Sequence, residues 1–190
     1  MFTDVGLGGS EWYSDGVRWR AVGGQVILKN NGVGGNSTSS QTLSKLLTYQ
    51  IPLGMLGAGD VIEMQATVLK PLQNGTTTLS LFLGNQDVTQ TGTIGTALHL
   101  GVSNTTATAG YISTSVDIRF ISDTTVDIGS AYSSNKNGAS NFSGATAFTV
   151  FNGALLQPAT TVYVGLWGLV GNALDTLSVS NLRITLKTCG

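Results

Sequence analysis

The chain holds one histidine, His99, and one cysteine, Cys189. A Ser-His-Asp triad would have to run through His99, with Asp87 or Asp117 as the orienting carboxylate. No Gly-x-Ser-x-Gly elbow raises a particular serine. His99 sits in the alternating run Ala97-Leu98-His99-Leu100, which reads as a strand. It is therefore expected to be a structural or interface residue. Cleavage of a glycosidic bond would need a carboxylate pair, and the acidic residues are only ten: Asp4, Glu11, Asp15, Asp60, Glu63, Asp87, Asp117, Asp123, Asp127 and Asp175. They are scattered. Asp60 and Asp123 stand where Asp forms turns, and Asp117 and Arg119 lie two apart on one strand face, where they can pair. A single Cys and a single His build neither an intrachain disulfide nor a Cys/His metal cluster, and no Asp-x-Asp-x-Asp-Gly calcium loop occurs. Gly6-x-Gly8-Gly9 does not open a helix, so it is no phosphate cradle. The expectation is a protein with no enzymatic activity, no metal and no cofactor.

Residues suited to binding are easier to find. Asp15-Gly16 is a two-residue hairpin signal, because both residues tolerate positive φ. Its flanks, Glu11-Trp12-Tyr13 and Val17-Arg18-Trp19, can pair and set aromatics across the turn. So small a hairpin is not stable alone in water and must dock on something. Aromatic residues beside arginine dominate protein interfaces. Trp12, Arg18, Trp19 and Arg20 are therefore expected to anchor the chain on a larger assembly or a sister subunit. The alternative is that they pack on the chain's own body. A second candidate is the polar loop 133–144, where Asn135, Asn141 and Phe142 could touch a saccharide or a neighbouring subunit.

Composition narrows the classes further. Charged residues make up 10% of the 190, far below the roughly 25% of an ordinary soluble domain. The surface must then be built from Gly, Ser, Thr, Asn and Gln, which suits close packing against other protein copies because few charges need desolvating. With nine basic and ten acidic residues the net charge is −1, and no basic stripe points to nucleic acid. No apolar run approaches the roughly 18 residues of a membrane helix. Met1-Phe2-Thr3-Asp4 lacks the basic and apolar regions of a signal peptide.

The elements that must position these residues are strands. Turn chemistry separates alternating runs at Thr42–Ile51, Asp60–Lys70, Thr77–Leu83, Ala97–Val102, Tyr111–Ile121, Thr125–Tyr132, Thr146–Phe151, Thr161–Leu169 and Thr176–Lys187. Leu79, Leu81 and Leu83 are expected inward, with Phe82 on the other face. Leu43–Leu47 and Asn152–Leu156 are the only places for a single helical turn. The expected fold is all-β: an N-terminal β-hairpin arm (1–30), a flexible Gly/Asn/Ser linker (31–41), and an antiparallel β-sandwich of jelly-roll type (42–190). An immunoglobulin-like sandwich is the alternative, which this strand number fits less well.

The pattern Gly-x-Gly-Gly-Ser-x-Trp-x-Ser-Asp-Gly-x-Arg-Trp from Gly6 to Trp19, continuing to Val22 and Gly24, resembles a short module of structural proteins of tailed bacteriophages. The segment Gln50-Ile51-Pro52-Leu53-Gly54-Met55-Leu56, with Gly59-Asp60-Val61-Ile62 after it, is similar to a turn of the β-sandwich domains that often follow that module. The two motifs cover about a quarter of the chain. The resemblance implies a virion protein without enzymatic activity, made in the bacterial cytoplasm. It would be a homotrimer that decorates and cements the capsid by contacting the major capsid protein. The module's place at Met1 is expected of a free-standing accessory protein. The alternative is a head- or tail-fibre domain that recognises host-surface glycans. A role for Cys189 does not follow from its position near the C-terminus.

Overall fold

Alternation of apolar and polar residues dictates the strands, because successive side chains point to opposite faces. In the segment Val61–Lys70, Ile62, Met64, Ala66 and Val68 are buried while Gln65 is exposed. In Gly110–Phe120, Ile112, Val116, Ile118 and Phe120 are buried and Ser113 is exposed. Burying one such apolar side chain stabilises the fold by about 1.5–3 kcal/mol. These two strands therefore fix which face of their sheet turns inward.

The computed structural model describes residues 2–4, 10–14, 16–32, 37–71, 75–84, 97–104, 110–122, 125–135, 148–150 and 161–188. In chain order the strands are β1 (Phe2–Asp4), β2 (Ser10–Ser14), β3 (Trp19–Ala21), β4 (Gln25–Gly32), β5 (Ser37–Thr38), β6 (Ser44–Ile51) and β7 (Val61–Lys70). They continue with β8 (Thr77–Gly84), β9 (Ala97–Asn104), β10 (Gly110–Phe120), β11 (Thr125–Asn135), β12 (Phe148–Val150), β13 (Val162–Val170) and β14 (Leu177–Lys187). No helix occurs among the described residues. A seven-stranded sheet runs β12-β11-β10-β7-β14-β4, with β5 also paired to β14. A four-stranded sheet runs β6-β13-β8-β9. Every described pairing is antiparallel. The chain crosses repeatedly between the two sheets, and late strands insert between early ones: β13 between β6 and β8, β14 between β4 and β7. The body is an antiparallel β-sandwich of jelly-roll type.

The core lies between the sheets. Ile62, Met64, Val68, Ile112 and Ile118 from one side share a single buried cluster with Leu46, Leu79, Leu83, Val164 and Leu166 from the other. Trp167 and Phe82 are also fully buried. Their rings stack with centroids 5.2 Å apart and 17° between planes, outside the main cluster. Phe82, expected on the exposed face of its strand, is thus buried against Trp167.

Three further expectations change. Residues 25–30 do not belong to the arm, nor 31 and 32 to a linker: β4 pairs with β14 along Gln25–Gly32 and is an edge strand of the sandwich. Ser37 and Thr38, expected in a linker, pair with Ser178 and Leu177. Leu43–Leu47, offered as a helical turn, largely falls within β6, since β-sheet pairing to β13 outweighs local preference. The N-terminal unit is a three-stranded sheet, β1-β2-β3. Its β2–β3 connection is longer than a two-residue turn, because Ser14 pairs with Trp19. Gly16 within it takes φ +96°.

Candidate functional site

The two short motifs meet. Asp60 ends the β6–β7 connection and is wholly buried, and Arg20 of β3 is 8% exposed. Arg20 Nη1 donates to Asp60 Oδ1 at 2.8 Å and to Oδ2 at 2.6 Å. The backbone N–H of Gly57 donates to the same Oδ2 at 2.7 Å. Charge-assisted bonds this short are the strong class, and three of them satisfy a carboxylate that burial would otherwise penalise heavily. The loop that delivers Asp60 is itself tied down. Gly59 N–H donates to the Phe120 carbonyl at 2.6 Å, and Phe120 N–H to the Asp60 carbonyl at 2.9 Å.

Gly57 shows why this loop lacks a side chain there. A Cβ at that position would stand 2.6 Å from Arg20 Nη2 and 3.0 Å from Arg18 Cδ. Both arginines of the module therefore lie over one glycine of the second motif. A further main-chain bond joins them: Trp19 N–H donates to the Gly54 carbonyl at 2.9 Å. Trp12 completes the attachment as a fully buried member of the common core beside Ala21, its partner in the strand register.

The four expected anchors therefore divide. Trp12 and Arg20 were expected to meet another protein. They are instead inside this chain, because the hairpin sheet finds its missing apolar and charged partners in the sandwich. Arg18 is half-buried and Trp19 remains 39% exposed. Around Trp19 other apolar side chains stay exposed: Val17 at 61% and Leu53, next to Gly54, at 51%. Tyr13 and Val22 of the same module are also exposed. Asp60 was read from sequence as a turn former. The pairing of Arg in one motif with Gly-Asp in the other was the available signal for its true role.

Of the loop candidates, Asn135 ends β11 opposite Ile112, whereas Asn141 and Phe142 lie outside the described residues, as does Cys189. His99 lies on β9 opposite Phe82. Three of the described carboxylates have basic partners, and one of them, Glu63, also lies opposite Asp117 in the β7–β10 register. Asp60 holds Arg20, Glu63 accepts from Lys187 Nζ, and Asp175 lies 3.4 Å from Lys70 Nζ in a pair with both side chains fully buried. Lys70 Nζ also donates to the Gly75 carbonyl.

Fold and site define an antiparallel β-sandwich with a hairpin sheet latched to it by a buried ion pair. No family model matches the chain, and no curated protein does. Solved structures resemble it distantly. The winged bean acidic lectin in complex with methyl-alpha-D-galactose is 9% identical, with a TM-score of 0.42 over 88% of this chain and 89% of the lectin. Lectin I-B4 from Griffonia simplicifolia is 9% identical at 0.43, over 93% and 91%. A glycoside hydrolase family 16 endo-glucanase from Bacteroides ovatus is 10% identical at 0.35, over 96% of each chain. Likeness at these scores carries no functional inference.

Proposed function

We propose that the chain is a non-enzymatic virion protein of a tailed bacteriophage that decorates the capsid. It would dock on the major capsid protein through the exposed rim of its latched hairpin. The observation that carries this reading is the exposed apolar group of Val17 and Trp19 on the module and Leu53 on the β6–β7 connection, at the place where Trp12 and Arg20 lock the module to the body. Exposed aromatic and aliphatic side chains held on a rigid support, with an arginine beside them, have the make-up of an interface centre. The weakly charged surface lowers the desolvation cost of such contacts. The resemblance of the two motifs to phage structural modules supplies the partner. Assembly as a homotrimer belongs to the same reading, since several weak contacts on one particle add to a strong one.

The test is co-sedimentation of the purified protein with phage heads lacking it, beside intact host cells. Saturable pelleting with heads, lost in Trp19→Ala, is expected. Pelleting with cells and not with heads overturns decoration. That outcome would support the second reading, recognition of host-surface glycans, which a separate feature of the seven-stranded sheet favours.

A further inference from the structure

The outward face of the seven-stranded sheet is not uniform. Across its middle, the register sets Ser113 opposite Thr67 and Ser115 opposite Gln65. On the next strand Asn181 stands opposite Thr67. These short polar residues line a cleft of about 230 Å³, with Ala66 and Thr114 contributing from the opposite parity. One device shapes it. The pairing of β14 with β7 slips between Val179 and Asn181, leaving Ser180 as an extra residue. Ser180 Oγ donates to the Thr67 carbonyl at 3.1 Å. The bulge keeps Val179 and Leu182 buried while turning Asn181 outward. Bulges often re-aim a side chain toward a site.

We propose that this cleft binds a neutral saccharide. Gln65, Thr67, Ser113, Ser115 and Asn181 all carry groups that can donate and accept, as sugar hydroxyls do. Among the described residues no ionised side chain lines the cleft. Charged neighbours border it: Arg183 stands in the same row as Gln65, directly opposite it on β14, and one row beyond, Glu63 is bonded to Lys187 and lies opposite Asp117. At the other end Tyr111, 46% exposed, precedes Ser113 by two residues and so shares its face. Its ring offers an apolar body with a polar tip to the C–H face of a sugar. The cleft is smaller than the roughly 300–1,000 Å³ that enclose a drug-sized ligand. It therefore suits one or two rings of a glycan chain rather than a large cofactor. The site is independent of the hairpin rim and does not require the docking reading.

Calorimetric titration of the full chain with neutral oligosaccharides of glucose, galactose, mannose and N-acetylglucosamine tests it, with sialylated and uronic oligosaccharides alongside. Saturable binding of at least one neutral sugar is expected, with Kd about 1 mM or tighter. Ser113→Trp, which fills the cleft from an exposed position, should abolish it. Gln65→Ala should weaken it about tenfold, equivalent to one good hydrogen bond. Trp19→Ala should leave it unchanged, so loss of capsid docking and loss of sugar binding are separable. No saturation by about 10 mM sugar, binding of charged sugars alone, or binding indifferent to both cleft variants would each overturn the proposal.

Discussion

Replacing Asp60 by Asn tests whether the ion pair holds the hairpin sheet to the sandwich. The change is nearly isosteric, so packing is preserved and only charge is removed. It removes the carboxylate charge that pairs with the Arg20 guanidinium, 8% exposed, and replaces one carboxylate oxygen by an NH2 that cannot accept. Removing one partner of a buried pair typically costs about 3–5 kcal/mol. For a protein of this size that corresponds to a fall in melting temperature of about 6–20 °C. The loss should be localised first. Trp12 is wholly buried by hairpin docking, so its fluorescence should shift to the red at lower urea than the far-ultraviolet signal of the sandwich. The double variant Arg20→Met, Asp60→Leu removes both charges together and should recover most of the stability. A loss below about 1 kcal/mol for Asp60→Asn, the range of an exposed pair, would refute the latch. So would a double variant as unstable as the two single changes added together.

Gly57→Ala should destabilise the same contact by about 1–3 kcal/mol, the usual cost of overpacking, because the added methyl lands 2.6 Å from a guanidinium nitrogen that Asp60 holds in place. Urea denaturation followed by tryptophan fluorescence measures it, and an unchanged midpoint would show that Arg20 moves freely. Lys70→Met should cost about 3–5 kcal/mol, since it removes the ammonium 3.4 Å from the Asp175 carboxylate in a site with no exposure. Thermal melting checks this, and Lys70→Met combined with Asp175→Leu should restore much of the lost stability.

The strands were legible because their faces differ: Ile62, Met64 and Val68 against Gln65 and Thr67 admit one parity, and a slip by one residue would expose the whole set. The same rule misleads at Phe82. Alternation with Leu79, Leu81 and Leu83 places it outward, and it is buried there because Trp167 of another strand stacks on it. Lys70 is lost for a similar reason. A lysine at the end of an apolar run reads as a solvated strand end, and only the tertiary fold brings Asp175 to it. Most of β4 reads as part of the arm because its Gly-rich neighbour looks like a boundary, whereas its partner β14 is about 150 residues away in sequence. For the site, both motifs were visible but their mutual contact was not. Salt-bridge partners 40 residues apart leave no local signature, so Arg20 looked like an interface residue and Asp60 like a turn former. The Ser180 bulge carries no glycine to betray it.

The latch bears on how so small a module could bind at all. An arm on a flexible linker would lose its orientational freedom on docking, at a cost of about 0.5–1.5 kcal/mol for each side chain immobilised, besides that of the backbone. Here that ordering takes place during folding. Trp12 is in the core, Arg20 is fixed by two bonds to one carboxylate, and Trp19 is held through its own backbone N–H to Gly54. What remains exposed is therefore preorganised, and a few apolar side chains can suffice for docking when several copies act on one particle. It follows that Asp60→Asn should weaken head binding even though Asp60 touches no partner. Adding the Leu and Met replacements at positions 60 and 20 should return binding together with stability. Stability regained without binding would place the arginine itself, rather than the rigidity it confers, in the docking contact.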